Sequence, residues 1–283
     1  MNIRQVRKKT KSVSNVKKIT RSMQLVSAFK MKKAQVAAIE SRPYQDNLES
    51  IIFKIVGNID PALSLLLTPH KEATDRHLII FITANKGLCG AFNFDLFRYL
   101  AKIIDIKKTD FVAVGKKGAS FVSKTGANIT ADFSSPTPIL KTSALFSFVL
   151  DAFLKGQYNK VSILYNKFVS TLHTEPTLQT ILPLHLEVKE KLEKTQVLEY
   201  LVEPSPQLII DSLLRNYVEE KIRNVIIQSE AGEHSARMVA MKNATDNATD
   251  VIYNLTLLGN KLRQEKITNE LLDMVTAKES VEA

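Results

Sequence analysis

The sequence predicts an α/β protein: a long antiparallel coiled coil formed by the N- and C-terminal helices, with a central α/β domain inserted between them. Three observations lead there. Residues 3–56 and the stretch from Gln207 to about Thr276 carry apolar side chains at steps of three, four and seven, the spacing of one helix face. Between them, short β-branched runs alternate with amphipathic stretches, the pattern of βαβ units and a mostly parallel sheet. The 283 residues include nine glycines, few for this length and consistent with long helices. The expected divisions are 1–56 for the first helix, 57–206 for the central domain with its connector, and 207–283 for the last helix.

The first helix rests on Val6, Val13, Val16, Ile19, Met23, Val26 and Ala34. Small residues thicken this stripe at Ser27, Ala28, Ala37 and Ala38. Pro43 is expected to end or kink it, since proline lacks the amide proton and its ring clashes with the preceding turn. Leu48, Ile51, Ile52, Ile55 and Val56 resume the pattern. A loop with Pro61 and Pro69 follows, from Gly57 to Arg76. His77–Thr83 is then a continuous apolar run, as expected of a strand buried on both faces. An amphipathic helix is expected around Asp95–Ile104, and strands at Phe111–Val114, Ala127–Thr130 and Val161–Tyr165. Lys141–Leu154 reads as helix, and Thr177–Leu186 as a more exposed added strand. This alternation makes the insert Rossmann-like. Residues 187–206 are charged, contain Pro204 and Pro206, and read as a connector.

From Gln207 to Thr276 no proline interrupts the chain. About 70 residues at about 1.5 Å each give roughly 100 Å of helix. Gly232 and Gly259 should each weaken it by about 1 kcal/mol relative to alanine. Its seam with the first helix is not pure leucine but is diluted by Ala, Ser, Thr and Met: Thr20, Met23 and Ser27 on one side, Ala236, Ala240, Ala244 and Ala248 on the other. So thin a rod calls for an outer sleeve.

Composition excludes several classes. Hydrophobic residues make up 45% and charged residues 24%, ordinary for a globular chain. The lone Cys89 cannot form an internal disulfide. The longest nearly apolar stretch, Ser143–Leu154, is too short for the roughly 20 residues that span a bilayer. The net charge of +10 is concentrated: residues 1–42 hold twelve Lys or Arg and one acid, Glu40. A basic segment of this kind fits nucleic acid, an anionic membrane or an acidic protein partner.

No catalytic constellation stands out. His70, His77, His173, His185 and His234 have no metal-ligand spacing, so no metal is expected. Ala84–Gly90 follows a buried strand but lacks the further glycines of a dinucleotide fingerprint and the Lys-Ser/Thr of a P-loop. It reads as a packed strand-to-helix turn with Asn93 near the helix cap; a phosphate cradle is the competing reading. No cofactor is expected. Two other classes remain open: a basic coiled-coil nucleic-acid-binding protein, and a nucleotide-binding α/β enzyme.

The string Ser229-Glu-Ala-Gly-Glu-His-Ser-Ala-Arg-Met-Val-Ala-Met-Lys-Asn-Ala-Thr-Asp-Asn-Ala248 closely resembles the C-terminal signature of the gamma subunits of F-type, rotary ATP synthases. Lys18–Met23, Lys30–Gln35, Ser41–Tyr44 and Ile267–Leu272 resemble other motifs of that family. Thr83–Asn93 is similar to its strand-to-helix loop, with Thr-Ala-Asn-Lys where Ser-Asp-Arg or Ser-Asn-Lys is usual. The resemblance covers essentially the whole chain. It implies a non-catalytic central shaft inside a ring of alpha and beta subunits, with the insert beside an epsilon subunit and a membrane rotor ring. It implies neither a nucleic-acid partner nor a functional homo-oligomer. Arg237, Gln264 and Thr268 match positions that contact the moving loops of the catalytic subunits, and Met23, with Arg21 beside it, matches a position near the same acidic loop. With no transit peptide at the N-terminus, the implied location is peripheral, on the cytoplasmic face of a bacterial inner membrane.

Overall fold

The structure is a computed structural model and describes residues 2–56, 64–68, 76–103, 105, 108–184 and 205–282. The loop expected at 57–76 and the connector expected at 187–206 lie mostly outside the described residues. The chain divides into two compact units, one of Met1–Ala28 with Arg237–Ala283, the other of Phe29–Ala236.

The larger unit is built on a five-stranded sheet. Its strands are β1 (His77–Ile82), β2 (Thr109–Val114), β3 (Asn128–Asp132), β4 (Lys160–Phe168) and β5 (Thr174–Leu182). Their order is β3-β2-β1-β4-β5. All neighbours are parallel except β5, which runs antiparallel to β4. Helices α2 (Phe92–Ile103), α3 (Lys116–Thr125) and α4 (Thr142–Leu154) connect the parallel strands. β1 and β2 are buried along nearly their whole length, which explains the apolar runs Leu78–Ile82 and Phe111–Val114. β5 is half-exposed over most of its length, as its polar Thr177, Gln179 and Thr180 require.

Two core clusters fill the two faces of the sheet. One holds Ile79, Phe81, Leu96, Leu100, Phe111, Val122 and Leu164, between the sheet and helices α2 and α3. The other joins Leu78, Ile80, Val112, Ile163 and α4 to parts of the two long helices, α1 (Ile3–Val56) and α5 (Pro206–Glu282). Leu48, Ile52 and Ile55 of α1 and Ile210, Leu214, Val218 and Ile222 of α5 all belong to it.

That packing explains why the helix expected over residues 3–56 survives Pro43. Helix α1 does not end there but runs through Pro43 to Val56. A proline inside a helix costs about 3 kcal/mol. Burying Leu48, Ile52 and Ile55 beyond it contributes about 1.5–3 kcal/mol for each side chain, so continuing the helix wins.

At the carboxyl ends of β1 and β2 the backbones nearly touch. Thr83 Oγ1 donates to Gly115 O at 3.1 Å and accepts from Gly118 N at 2.8 Å. A methyl on Gly115 would stand 2.1 Å from Thr83 O, and Gly115 has φ +125°. Only glycine fits there. At the opposite ends of the strands, buried Asp110 accepts from Arg76 (2.6 Å), Asn128 (3.1 Å) and Tyr158 (2.9 Å). His77 lies beside this cluster, bonded to Ser162 Oγ at 2.9 Å. Burial, helped by Lys160, lowers its pKa to about 4, so it is neutral at physiological pH.

The smaller unit contains residues 3–28 of α1 and 237–282 of α5. Thr20 Oγ1 and Thr245 Oγ1 bond at 2.8 Å, and a methyl on Gly259 would sit 3.5 Å from Val6 Cγ1. Fourteen residues forward on α1 match fourteen back on α5, so the helices are antiparallel and in register here. Val6, Thr20 and Ser27 are buried on one helix, and Met241, Thr245 and Ala248 on the other. Their spacing of three, four and seven is the heptad of a left-handed coiled coil. The apolar stripe needs correction. Val16, Ile19 and Val26 are 50%, 59% and 57% exposed, whereas Thr20 and Ser27 are buried. The seam takes the small polar residues because their hydroxyls bond along and across the helices and their size lets the helices approach.

Candidate functional site

In sheets of this topology, ligands bind outside the carboxyl ends of the strands where the order reverses, here between β1 and β4. In this chain α5 lies against that point. A Cβ on Gly232 would meet Thr174 Cγ2 at 3.0 Å and Phe92 Cε2 at 3.3 Å. Gly232 therefore does more than weaken a helix: it lets α5 close on the sheet. The loop expected to be a packed turn spends its polar groups on the protein. Ala84 N donates to Asn93 Oδ1 at 3.1 Å, Asn93 Nδ2 lies 3.2 Å from Cys89 Sγ, and Lys116 N donates to Asn85 Oδ1 at 3.2 Å. Cys89 is buried. Among the described residues, no group of three or more His, Cys, Asp or Glu is placed to hold a metal ion. No described helix is long and apolar enough to cross a membrane.

The residues singled out from the sequence all fall in the smaller unit. Arg21 is exposed, and its Nη1 donates to Gln24 Oε1 at 2.9 Å. Met23 is half-buried. The register set by Thr20 and Thr245 puts Met23 level with Lys242, itself exposed. Lys18, Arg21 and Lys242, with half-buried Lys17, thus form a basic collar around Met23. Gln264 and Thr268 are exposed on the free end of α5, where Thr268 Oγ1 donates back to Gln264 O at 3.0 Å. Arg237 is 7% exposed, so only a small edge of it is open to another chain. About 22 residues of helix separate Lys242 from Gln264, roughly 33 Å at 1.5 Å per residue. The five residues therefore make two separate places on this unit and not one site.

Sequence reasoning missed the outward apolar face. Val16, Ile19, Leu25 and Val26 on α1, and Val251, Tyr253, Leu257 and Leu258 on α5, are exposed although the seam is already filled. Leu262 is the last half-buried one among the described side chains of α5; Ile267, Leu271, Leu272, Met274 and Val275 beyond it are exposed. The signal was present as a second apolar phase, one residue out of step with Thr20 and Ser27. Of the twelve bases in residues 1–42, all but Lys17 are exposed.

Exposed apolar side chains recurring along both helices fit a contact with another protein. Taken by itself, the smaller unit is a two-helix element, continued as a single helix, of the kind other chains enclose. Comparison with known proteins gives the family. A profile described as ATP synthase matches residues 2–281. The chain is 33% identical over 292 residues to the ATP synthase gamma chain of Akkermansia muciniphila, covering 99% of both chains. It is 37% identical over 281 residues to that of Dehalococcoides mccartyi, covering 97% of both. Among solved structures it is similar to a chain of the mitochondrial ATP synthase of Euglena gracilis (OSCP/F1/c-ring, rotational state 3), with a TM-score of 0.70 and 20% identity, covering 99% of this chain and 94% of that one. A central stalk/c-ring chain of the Tetrahymena thermophila mitochondrial enzyme aligns with a TM-score of 0.62 at 24% identity, covering 80% of this chain and 99% of that one. The chain belongs to the ATP synthase gamma chain family.

Proposed function

We propose that this chain is the non-catalytic central rotor shaft of an F-type ATP synthase, coupling ion flow through a membrane sector to ATP synthesis or hydrolysis in a catalytic head. The observation that carries this reading is the outward apolar face of paired helices whose seam is already filled, in a chain matched to the family from residue 2 to 281. Helices 1–56 and 207–283 serve as the shaft, and 57–206 as the part facing the epsilon subunit and the membrane rotor ring. Alpha and beta subunits enclose the shaft, and ATP chemistry takes place on them. The chain acts at the cytoplasmic face of a bacterial inner membrane without entering it. Shaft angle then behaves as a ligand that favours one catalytic conformation over the others.

Arg21 and Met23, within the basic collar, face an acidic loop of the ring; Gln264 and Thr268 meet the ring near the free end of α5; Arg237 sets the helix against its partner and offers its edge. Replacing Met23 by lysine adds a charge level with Lys242 and beside Lys17, Lys18 and Arg21. The added attraction to an acidic loop holds one rotary angle too tightly. Protons moved per ATP hydrolysed by the assembled complex in membrane vesicles is the quantity to measure. The ratio is expected to fall at least about twofold, a bias of only about 0.4 kcal/mol at 25 °C; an unchanged ratio contradicts the assigned position.

A further inference from the structure

A cleft of about 530 Å³ lies within the sheet-bearing unit, walled by α1, α5 and strands β4 and β5. Its volume falls in the range of small-molecule sites, and its lining includes none of the residues assigned above. Its lining is unevenly satisfied. The only hydrogen bond of Lys221 Nζ among the described residues is a long one, 3.5 Å, to Tyr217 Oη, and the ammonium lies 5.2 Å from the centre of that ring. Burial lowers the pKa of Lys221 against the opposing pull of Glu49. Burial, then Glu49, raises Tyr217 to about 12, so the phenol stays neutral and cannot balance the ammonium. An ammonium has three protons to donate, and one weak bond leaves most of that capacity unused.

A carboxamide relay ends in the same cleft. Gln228 Nε2 donates to Asn224 Oδ1 at 2.9 Å, and Asn224 Nδ2 donates to Gln45 Oε1. The direction of the relay leaves Gln45 Nε2 as its terminal donor, and that atom is buried without an acceptor. Buried donors without partners are costly. Lys167 adds a second cation from the β4 wall. Of the two acids, Glu220 pairs with Arg223 (Oε1–Nε 3.0 Å) at an angle too oblique for a hydrogen bond. That leaves Glu49 against two lysines. The described lining of the cleft thus has positive charge and donors in excess of what Glu49 can take up.

We propose that this cleft binds a small metabolite through an oxyanion, a phosphate or a carboxylate, held between Lys221 and Lys167 with the Gln45 amide turned toward it. Bound there, the ligand bridges α1, α5 and the sheet.

The test is site-resolved lysine acetylation of the full chain, read by mass spectrometry, in inorganic phosphate or acetate and in chloride of equal ionic strength. At about ten times the dissociation constant, occupancy slows labelling of a contacted amine about tenfold. Lys221 and Lys167 are expected to slow by about that factor, and exposed Lys33 to be unchanged. Lys167→Gln should reduce the protection of Lys221, and Glu49→Gln should strengthen it. Protection by phosphate alone assigns a phosphate ester; protection by acetate alone assigns a carboxylate. Lys221 labelling that is unchanged in both salts, or slowed no more than that of Lys33, overturns the proposal.

Discussion

Truncation of the chain after Ala236 is expected to abolish assembly with the catalytic ring and all coupled ATPase. The cut removes Arg237–Ala283 and with it Met241, Thr245 and Ala248, the buried partners of the first helix. Val6, Thr20 and Ser27 then face water. An isolated helix whose seam is uncovered has little stability of its own, and no stiff element remains to carry torque. Removing only 272–283 has a much smaller effect. The side chains described there are exposed, and Leu262, the last half-buried one among the described side chains of α5, is kept. This shorter chain should assemble less tightly yet keep substantial coupled ATPase. Co-purification with the ring and ATP-driven proton pumping measure the two effects. A short truncation that assembles normally but loses all coupling would locate torque at the tip, contrary to this account.

Replacing Gly115 by alanine should have the largest effect of any single substitution on the sheet-bearing unit. The new methyl would stand 2.1 Å from the carbonyl oxygen of Thr83, at a backbone φ of +125°. The obstacle is backbone and belongs to the β1–β2 junction, so no side chain can rotate away. The expected loss is about 3–5 kcal/mol, at the upper end for point substitutions, and about 2–4 °C of melting temperature per kcal/mol in a unit of this size. Gly126→Ala separates strain from collision: φ is +76° there, but nothing lies within 4 Å of the added methyl. Its cost should be about 1 kcal/mol. Thermal melts that show equal small shifts for both variants would mean that the β1–β2 junction yields.

The strands were legible because burial on both faces demands an unbroken apolar run, and His77–Ile82 and Thr109–Val114 largely supply one. The pairing of the terminal helices was legible for a similar reason, since both carry heptad spacing. Its phase was not. The first helix has two apolar faces, and counting apolar residues selects Val16, Ile19 and Val26, which are exposed. Which face meets α5 is decided by close approach at Thr20, Ser27 and Gly259, a three-dimensional fit with no one-dimensional signal. Whether the helix would end at Pro43 was not legible, because the proline's cost is local while the burial that outweighs it lies at Leu48, Ile52 and Ile55. Gly232 reads as a flaw in a helix until Phe92 and Thr174 are placed against it. The cleft around Lys221 was invisible, since its walls come from residues 45–49, 165–179 and 217–228. Of the candidate contact residues, the motifs supplied the positions, but the burial of Arg237 and the distance between Met23 and Gln264 required coordinates.

The most direct measurement of the central claim is rotation of this chain inside its ring. A probe fixed to the sheet-bearing unit of the assembled complex, with the ring held to a surface, is watched during ATP hydrolysis. The account predicts one-directional rotation in discrete steps, stopped when the shaft is cross-linked to a catalytic subunit through a cysteine placed at Arg21 and resumed when that disulfide is reduced. ATP hydrolysis that continues at full rate while the chain stands still would contradict it.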